Sequence, residues 1–208
     1  MFITFEGLDF SGKSTQAKLL HEYLRSKKIK SILLREPGGT AISEKVREII
    51  LDREHIEMTP LTEFMLFSAS RSQLVSQVIR PHLNKGFVVI CDRYYDSSTA
   101  YQSYGGSLEL KQVEKVNDIA TGGLKPDMTI FIDLSPKEAF QRAAIRGKDK
   151  DRMENKNLTF YNKVYKGFNT IANNNKKRFV VIKGSLTVEQ IHQKIKEKIN
   201  KKLNISYE

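Results

Sequence analysis

Residues 7–14 constrain the fold of this chain more than any other segment. They read Gly-Leu-Asp-Phe-Ser-Gly-Lys-Ser and fit the spacing Gly-x-x-x-x-Gly-Lys-Ser/Thr. An apolar run over residues 2–5 precedes them, and residues 15–27 show the apolar spacing of a helix. A glycine-rich turn between a strand and a helix is the setting in which backbone N–H groups surround a polyphosphate. The sequence therefore predicts an α/β fold that binds a nucleoside triphosphate.

Each part of this segment, which we call the phosphate loop, has a predicted role. Gly7 and Gly12 let the backbone wrap around the phosphates with its N–H groups pointing inward. Lys13 is expected to reach the β- and γ-phosphates, and Ser14 to ligate Mg²⁺. The predicted triphosphate contacts are the whole loop: Gly7, Leu8, Asp9, Phe10, Ser11, Gly12, Lys13 and Ser14.

Short apolar runs alternate with longer helix-like segments along the chain. The runs are rich in Val, Ile, Leu and Phe without strict alternation, which is typical of parallel strands covered on both faces. The predicted strands are 2–6, 31–35, 87–91, 127–133 and 178–182. The predicted helices lie near 13–27, 41–51, 60–80, 109–120, 136–146, 154–173 and 187–202. This pattern predicts one domain over residues 1–208, a doubly wound five-stranded parallel sheet of the P-loop type flanked by helices.

Composition excludes several other classes of protein. The single cysteine, Cys91, cannot form an intramolecular disulfide, and this favours the reducing cytoplasm. The first residues lack the features of a signal peptide, and no segment has the roughly 18 apolar residues of a membrane span. The net charge of +11 is spread along the chain, with one concentration at 194–202 that has no interleaved aromatic residues, which favours a solvated helix face over a nucleic-acid surface.

Charged residues follow two of the predicted strands. Arg35 ends the second, and Asp92 and Arg93 follow the third. Ligands of such folds bind at the carboxyl ends of the strands, so these side chains are expected beside the phosphate loop. Asp92 occupies a place suited to holding Mg²⁺ or its waters, and the two arginines can grip phosphate through paired hydrogen bonds. Ordinary ion pairing at strand ends is the alternative.

Two further segments have both a functional and a structural interpretation. Phe67 and Arg71 are four residues apart on a predicted helix, so they share a face on which a ring can stack on a nucleobase and a guanidinium can bond its edge. Alone, this pair is also compatible with core packing beside a solvated charge. Residues 142–152 carry clustered positive charge that can close over transferring phosphates, or form a solvated loop.

Other functions of a P-loop protein stay open on the residues alone. No Asn-Lys-x-Asp guanine motif is present, which argues against a GTP-dependent switch. The hypothesis of a nucleic-acid-stimulated ATPase is supported only by the net charge. The nearest alternative is a kinase acting on another nucleotide or on a deoxynucleoside. No histidine shows the spacing of a metal ligand or of a catalytic triad.

An ordered set of motifs resembles the thymidylate kinase family nearly from end to end. The set comprises Glu6-Gly7-Leu8-Asp9, Arg35-Glu36-Pro37-Gly38-Gly39-Thr40, Phe67-Ser68-Ala69-Ser70-Arg71, Asp92-Arg93-Tyr94, Ser97-Ser98-Thr99-Ala100-Tyr101-Gln102, Lys125-Pro126-Asp127, Arg146-Gly147 and Asp151-Arg152-Met153-Glu154. The resemblance implies ATP- and Mg²⁺-dependent phosphorylation of dTMP to dTDP by a homodimer, with no general base.

The resemblance also implies residue roles in the dTMP site. Phe67 is expected to stack on thymine, and Arg71 and Ser98 to bond the edge of the base. Asp9 accepts the sugar 3′-OH, and Tyr101 stands where a 2′-OH would clash. The full predicted dTMP site is Asp9, Arg35, Phe67, Arg71, Arg93, Ser98, Tyr101 and Gln102, with Ser14 and Asp92 at the metal.

Transition-state charge is predicted to come partly from a lid near residues 142–153. Positions 8–11 of the phosphate loop carry no arginine, and family members of this kind use basic lid residues instead. Ala144 stands where an arginine is common in the family, so several lid cations are candidates. Arg142 is a predicted ATP contact, and the predicted catalytic residues are Lys13, Arg93, Arg146 and Arg152.

Overall fold

A computed structural model describes residues 1–147, 152–153 and 156–205 of the chain. Its strands are β1 (Phe2–Glu6), β2 (Ser31–Arg35), β3 (Val88–Asp92), β4 (Met128–Asp133) and β5 (Phe179–Lys183). They form one parallel sheet in the order β2-β3-β1-β4-β5. The predicted five-stranded doubly wound sheet is confirmed, and strand bounds differ from the predicted ones by at most one residue.

The register of the central strands brings the site residues to one edge of the sheet. Asp92 pairs with Phe5 of β1 on one side and with Arg35 of β2 on the other, and Glu6 pairs with Phe131. Because all five strands are parallel, their carboxyl ends lie at the same edge. The phosphate loop leaves β1 at this edge and leads into the first helix.

Helices cover both faces of the sheet. They are α1 (Lys13–Ser26), α2 (Ala41–Leu51), α3 (Pro60–Leu74), α4 (Arg80–Asn84), α5 (Tyr95–Ser98), α6 (Leu110–Thr121), α7 (Pro136–Arg146), α8 (Leu158–Asn174) and α9 (Val188–Leu203). One apolar cluster packs α1 and α9 against the sheet, and another packs α8 against the other side of β4. The predicted start of α8 at 154 falls outside the described residues; within them α8 begins at Leu158, after the N-cap Asn157.

The helix predicted over 60–80 is interrupted. Between α3 and α4 the chain forms a π-helical segment, Val75–Ile79, and Pro81 lies in the first turn of α4. Proline has no N–H to donate to the preceding turn and its ring crowds that turn, so a regular α-helix cannot run through it. Widening the preceding turn keeps the chain helical up to the proline.

A helical segment that the sequence did not indicate follows β3. The short helix α5 leads into a π-helical turn, Thr99–Gly105, which packs against α8. Wide helical turns of this kind are often found at functional sites. Here the turn carries Tyr101 and Gln102, two of the predicted dTMP contacts.

No helix within the described residues 1–147 and 156–205 combines the length and apolar character that a membrane span requires.

Candidate active site

The phosphate loop has the backbone geometry that its glycines predict. Gly7 has φ 142° and Gly12 has φ 97°, both in the region that favours glycine. A Cβ atom on Gly7 would lie 2.7 Å from the carbonyl oxygen of Ile132. Gly12 caps the start of α1 without a side-chain hydrogen bond to the helix N–H groups. The first turn of α1 is thus left to bind an anion.

Lys13 lies buried beneath the loop. Its Nζ donates to the carbonyl oxygen of Leu8 at 3.3 Å and lies 3.5 Å from a carboxylate oxygen of Asp9. Burial and the neighbouring Arg93 lower the pKa of Lys13, while Asp9 and Asp92 oppose that shift. Burial favours a neutral Asp9, but Arg93 and Lys13 outweigh it and hold the pKa of Asp9 well below its usual range. Asp9 is therefore a fixed negative charge between two cations.

Ser14 and Asp92 form a pair of oxygen donors at the mouth of the loop. The Ser14 hydroxyl donates to Oδ2 of Asp92, and Oδ1 of Asp92 is buried without a partner among the described residues. Hydroxyl and carboxylate oxygens are the ligands that Mg²⁺ prefers. The described residues hold no cluster of three or more His, Cys, Asp and Glu side chains. This sparse pair suits a cation whose other ligands are phosphate and water.

Arg93 is held in a strained backbone conformation over the loop. Its φ of 73° is in the left-handed region, which a residue other than glycine seldom adopts. The guanidinium donates to Gly7 O at 3.1 Å and to the Ser97 hydroxyl at 2.8 Å. It also binds Asp9 Oδ1 at 2.6 Å and lies over the Tyr101 ring. These contacts hold the Arg93 guanidinium beside the phosphate loop.

Glu6, at the end of β1, supports this conformation from below. It is fully buried and accepts hydrogen bonds from the Tyr94 backbone N–H at 2.8 Å and from the Ser97 hydroxyl. Burial, reinforced by the nearby Asp96, raises the pKa of Glu6 to about 8, against the effect of Ser97 and Arg93. Two residues that follow Arg93 are thus tied to one buried carboxyl group.

A second buried network surrounds Arg71. Its Nε donates to Glu36 at 2.7 Å, and its two terminal nitrogens donate to Asn117 at 3.0 Å and Ser98 at 2.9 Å. Arg71 is 2% exposed and Glu36 is 5% exposed. Burial raises the pKa of Glu36 to about 7, although Arg71 opposes the shift. The predicted pair of Arg71 and Ser98 is therefore in direct contact.

These residues enclose a cavity of about 230 Å³, which we call the central cavity. Among the predicted site residues, it is lined by Asp9, Lys13, Ser14, Arg35, Phe67, Arg71, Asp92, Arg93, Ser98, Tyr101 and Gln102. Tyr101 donates to Asp9 at 3.1 Å, which joins the cavity wall to the phosphate loop. The structure thus brings together the whole predicted dTMP site and both predicted metal ligands.

Arg35 lies at the open side of the cavity, and its side chain contacts residues close to it in the chain. It donates to Pro37 O at 2.8 Å and to Glu44 at 2.9 Å, with its side chain 48% exposed. Arg47 of α2 also donates to Pro37 O and lines the cavity. Sequence reasoning missed Arg47 because a lone arginine on a helix carries no motif.

The predicted lid residues are divided between different partners. Arg142 binds the phosphate loop through Ser11 O at 3.3 Å and reaches Gly184 O at 2.7 Å. Arg152 instead donates to Ile50 O and pairs with Glu63 at 2.7 Å. Arg146 ends α7, and its side chain, like residues 148–151, lies outside the described part. The catalytic roles of Arg146 and Arg152 stay predictions.

Further cavity residues lay outside the predicted set. Glu36, Pro37, Arg47, Leu51, Tyr94, Ser97 and Met153 also line the cavity. The motifs that carried the family resemblance include Glu36, Pro37, Tyr94, Ser97 and Met153, so their position within a motif was a signal for them. Leu51, like Arg47, lies outside every motif.

The arrangement suits binding and alignment of phosphates more than nucleophilic or acid–base chemistry. The described lining contains no histidine or cysteine, and its cations face the phosphate loop from several sides. An aromatic ring, Phe67, and a buried guanidinium, Arg71, also line the cavity. The lining therefore combines groups suited to a polyphosphate with groups suited to a nucleobase.

Comparison with known proteins shows which proteins this chain is similar to. Residues 5–195 match the family model described as thymidylate kinase. A thymidylate kinase of Prosthecochloris aestuarii is 45% identical over 207 aligned residues, covering 96% of this chain and 92% of that protein. One from Caldanaerobacter subterraneus subsp. tengcongensis is 46% identical over 194 residues, covering 93% of this chain and 92% of that protein.

A solved structure agrees over nearly the full chain. The crystal structure of thymidylate kinase from Ehrlichia chaffeensis superposes with a TM-score of 0.79 and 33% sequence identity. The match covers 96% of this chain and 98% of that chain.

Proposed function

The chain belongs to the thymidylate kinase family of ATP-dependent nucleoside monophosphate kinases, and we propose that its central cavity transfers the γ-phosphate of ATP to dTMP, giving dTDP and ADP. One observation carries the proposal: Phe67, Arg71 and Ser98 line the same cavity as Lys13 of the phosphate loop. Residues suited to bind a nucleobase and a loop suited to bind a triphosphate thus line the same cavity.

The reaction needs alignment and charge more than proton transfer. The second pKa of a phosphate ester is about 6, so the attacking oxygen of dTMP is largely ionised at neutral pH. No general base is required, in keeping with a described lining that has no histidine. Lys13 and Arg93 offset the charge on the transferred phosphoryl group, and Arg35 holds the acceptor phosphate.

The acceptor nucleotide is read by side chains that are already fixed. We assign base recognition to a base wall made of Phe67, Arg71, Ser98 and Gln102. Arg71 uses three of its five N–H donors on protein partners, which leaves donors for a base carbonyl. Asp9 and Tyr101, hydrogen-bonded to each other, face the sugar and favour deoxyribose.

Mg²⁺ is proposed to bind beside Ser14 and Asp92. The unpartnered Oδ1 of Asp92 and the Ser14 hydroxyl fit a hard cation that also binds phosphate oxygens. Ser14 and Asp92 would hold the ion, which would supply positive charge against the phosphates of ATP.

The basic segment near 142–153 is proposed to act as the lid of a single domain spanning 1–208. Arg142 already contacts the phosphate loop, which suits a residue on the ATP side. Arg146 and Arg152 are proposed to supply further positive charge when both substrates are bound. For Arg152 this requires leaving its present partner, Glu63.

We propose a cytoplasmic homodimer. Large apolar side chains are exposed on neighbouring helices: Ile42 and Ile49 of α2, Leu61 and Met65 of α3, and Ile119 of α6. The helix α3 packs against both α2 and α6, so these side chains lie on adjoining elements. Exposed apolar groups in such numbers are typical of an interface with another protein chain. The buried, unpaired Cys91 suits a reducing compartment.

Product identification tests the proposed reaction. The protein is incubated with radiolabelled [γ-³²P]ATP, Mg²⁺ and dTMP, and the nucleotides are separated chromatographically. Label should appear in dTDP, and omission of dTMP or Mg²⁺ should abolish transfer. Label that appears only in inorganic phosphate would contradict the proposal.

A further inference from the structure

Glu63, in the first turn of α3, bridges the base wall and Arg152 of the proposed lid. Its Oε1 accepts a hydrogen bond from Nε2 of Gln102 at 3.0 Å. Its Oε2 pairs with Arg152 at 2.7 Å. Glu63 and Gln102 are 8% and 4% exposed, so solvent competes little for these contacts.

The chemistry of the bridge fixes which way the Gln102 amide points. An ionised carboxylate only accepts hydrogen bonds, so the amide must turn its NH₂ group toward Glu63. The amide oxygen then lies on the opposite side of the group. Among the described residues, no donor reaches that oxygen, and Gln102 lines the central cavity. The oxygen is therefore available to a ligand.

Arg152 holds the carboxylate in place. It occupies the second oxygen of Glu63, and its own Nε is anchored on Ile50 O at 2.8 Å. While Arg152 keeps this ion pair, which the proposed lid movement would break only once both substrates are bound, Glu63 cannot rotate to release Gln102. Glu63 also lies one helical turn before Phe67, so the residue that orients the amide and the ring that faces the base share one helix face.

We propose that Glu63 is a positioning residue for base recognition, which makes Gln102 present an oxygen, and not an NH₂ group, to the nucleobase. This inference rests on the proposed function. Thymine and uracil carry an N–H at ring position 3, which an amide oxygen accepts. Cytosine carries a lone pair there, so the same oxygen repels it. The carboxylate thus selects between pyrimidines without touching them.

The first test replaces Glu63 by its amide. Glu63→Gln keeps the shape but can donate as well as accept, so Gln102 can present either group. The ratio of kcat/KM for dTMP to that for dCMP should fall about tenfold, the size of one hydrogen bond. The change for dTMP should lie in KM more than in kcat. Glu57→Gln removes the same charge from an exposed residue nearby and should leave the ratio unchanged.

A double-variant cycle tests whether Glu63 acts through Gln102. In a Gln102→Ala background, Glu63→Gln should have no further effect on the ratio. The proposal is overturned if Glu63→Gln lowers both activities equally, or if its effect on the ratio persists in the absence of Gln102.

A second variant covers the case in which Glu63→Gln does not fold. Glu63→Leu combined with Arg152→Met replaces the buried ion pair by apolar groups of similar size. Loss of a lid arginine slows both nucleotides alike, so the ratio should still fall about tenfold; an unchanged ratio overturns the proposal. If the wild-type protein does not phosphorylate dTMP, the proposed function fails; if it does and the ratio is insensitive to Glu63, only this inference fails.

Discussion

The phosphate loop and the base wall line the same cavity but are built in opposite ways. The loop is one contiguous segment whose shape comes from backbone conformation at Gly7 and Gly12. The base wall is assembled from α3, α5 and the π-helical turn, and buried carboxylates hold it together: Glu36 on Arg71 and Glu63 on Gln102. We therefore expect loop side chains to affect rate with little effect on stability, and wall side chains to affect specificity and stability together.

The strongest test of the loop is Lys13→Ala. Removing a cation from the developing charge should lower kcat by roughly 100- to 1000-fold. Because the described polar contacts of Lys13 are with Leu8 and Asp9 of the loop, the midpoint of thermal unfolding should change little. Lys18→Ala, on the exposed face of the same helix, is the matched control and should keep wild-type kcat. Near-normal kcat in Lys13→Ala would contradict the assignment of the loop.

Alanine substitution of the lid arginines tests whether the loop supplies all the positive charge that offsets the transferred phosphoryl group. Alanine at Arg142, Arg146 and Arg152 together should lower kcat at saturating ATP and dTMP by roughly a hundredfold or more. An effect on developing charge lowers kcat and kcat/KM together with little change in substrate binding. Single variants will show whether one residue dominates. Wild-type kcat in the triple variant would show that the lid is a passive cover and that the charge comes from Lys13, Arg35 and Arg93.

Arg71→Leu tests the link between specificity and stability in the wall. Removing Arg71 leaves Glu36 buried without its partner, which should cost about 3–5 kcal/mol in the free energy of unfolding. Without Arg71 the pKa of Glu36 should rise above about 7, so the folded state keeps a proton that the unfolded state releases. Stability of this variant should therefore fall between pH 6 and pH 8.

Urea unfolding at both pH values measures this effect. The exposed Arg25→Leu serves as control, because Arg25 lies on the solvent face of α1. A loss of stability in Arg71→Leu no larger than that of the control would show that the wall does not depend on its buried ion pair.

Phe67→Ala should change KM for dTMP and KM for ATP to different extents. Loss of stacking, worth roughly 1–3 kcal/mol in nucleic-acid binders, should raise KM for dTMP about tenfold or more. KM for ATP should change little, because Phe67 belongs to the base wall and not to the phosphate loop. Steady-state kinetics with each substrate varied in turn gives both values. An unchanged KM for dTMP would assign Phe67 to packing alone.

The last expected effect is on stability alone and concerns Glu6, which binds Tyr94 and Ser97 beside Arg93. Because the pKa of Glu6 is raised to about 8, the folded chain holds a proton that the unfolded chain releases above about pH 4.5. Stability should therefore decrease as pH rises through this window, by up to about 1.4 kcal/mol per pH unit for one proton. Glu6→Gln should flatten the slope measured by urea unfolding between pH 5.5 and 8, and the exposed Glu48→Gln should not. An unchanged slope in Glu6→Gln would show that Glu6 is ionised in the folded state.

The same contrast explains how far sequence reasoning reaches. The loop and the strands were predicted closely, because glycine spacing and apolar runs are local signals. Glu36 and Arg71 are 35 residues apart, and Glu63 and Gln102 are 39 apart, so no periodicity links them. The π-helical turn Thr99–Gly105 was missed because its sequence shows no regular apolar spacing. The engagement of Arg152 with Glu63 likewise depends on tertiary folding alone.

The central claim, that the base wall selects a thymine nucleotide for a general phosphate-transfer loop, is tested most directly by one coupled assay. ADP release is measured with dTMP, dUMP, dCMP and AMP under identical ATP and Mg²⁺ concentrations. The account predicts the highest kcat/KM for dTMP, with dCMP and AMP at least about a hundredfold lower, since each lacks the N–H that the wall accepts. Comparable kcat/KM values for dTMP and for dCMP or AMP would contradict it.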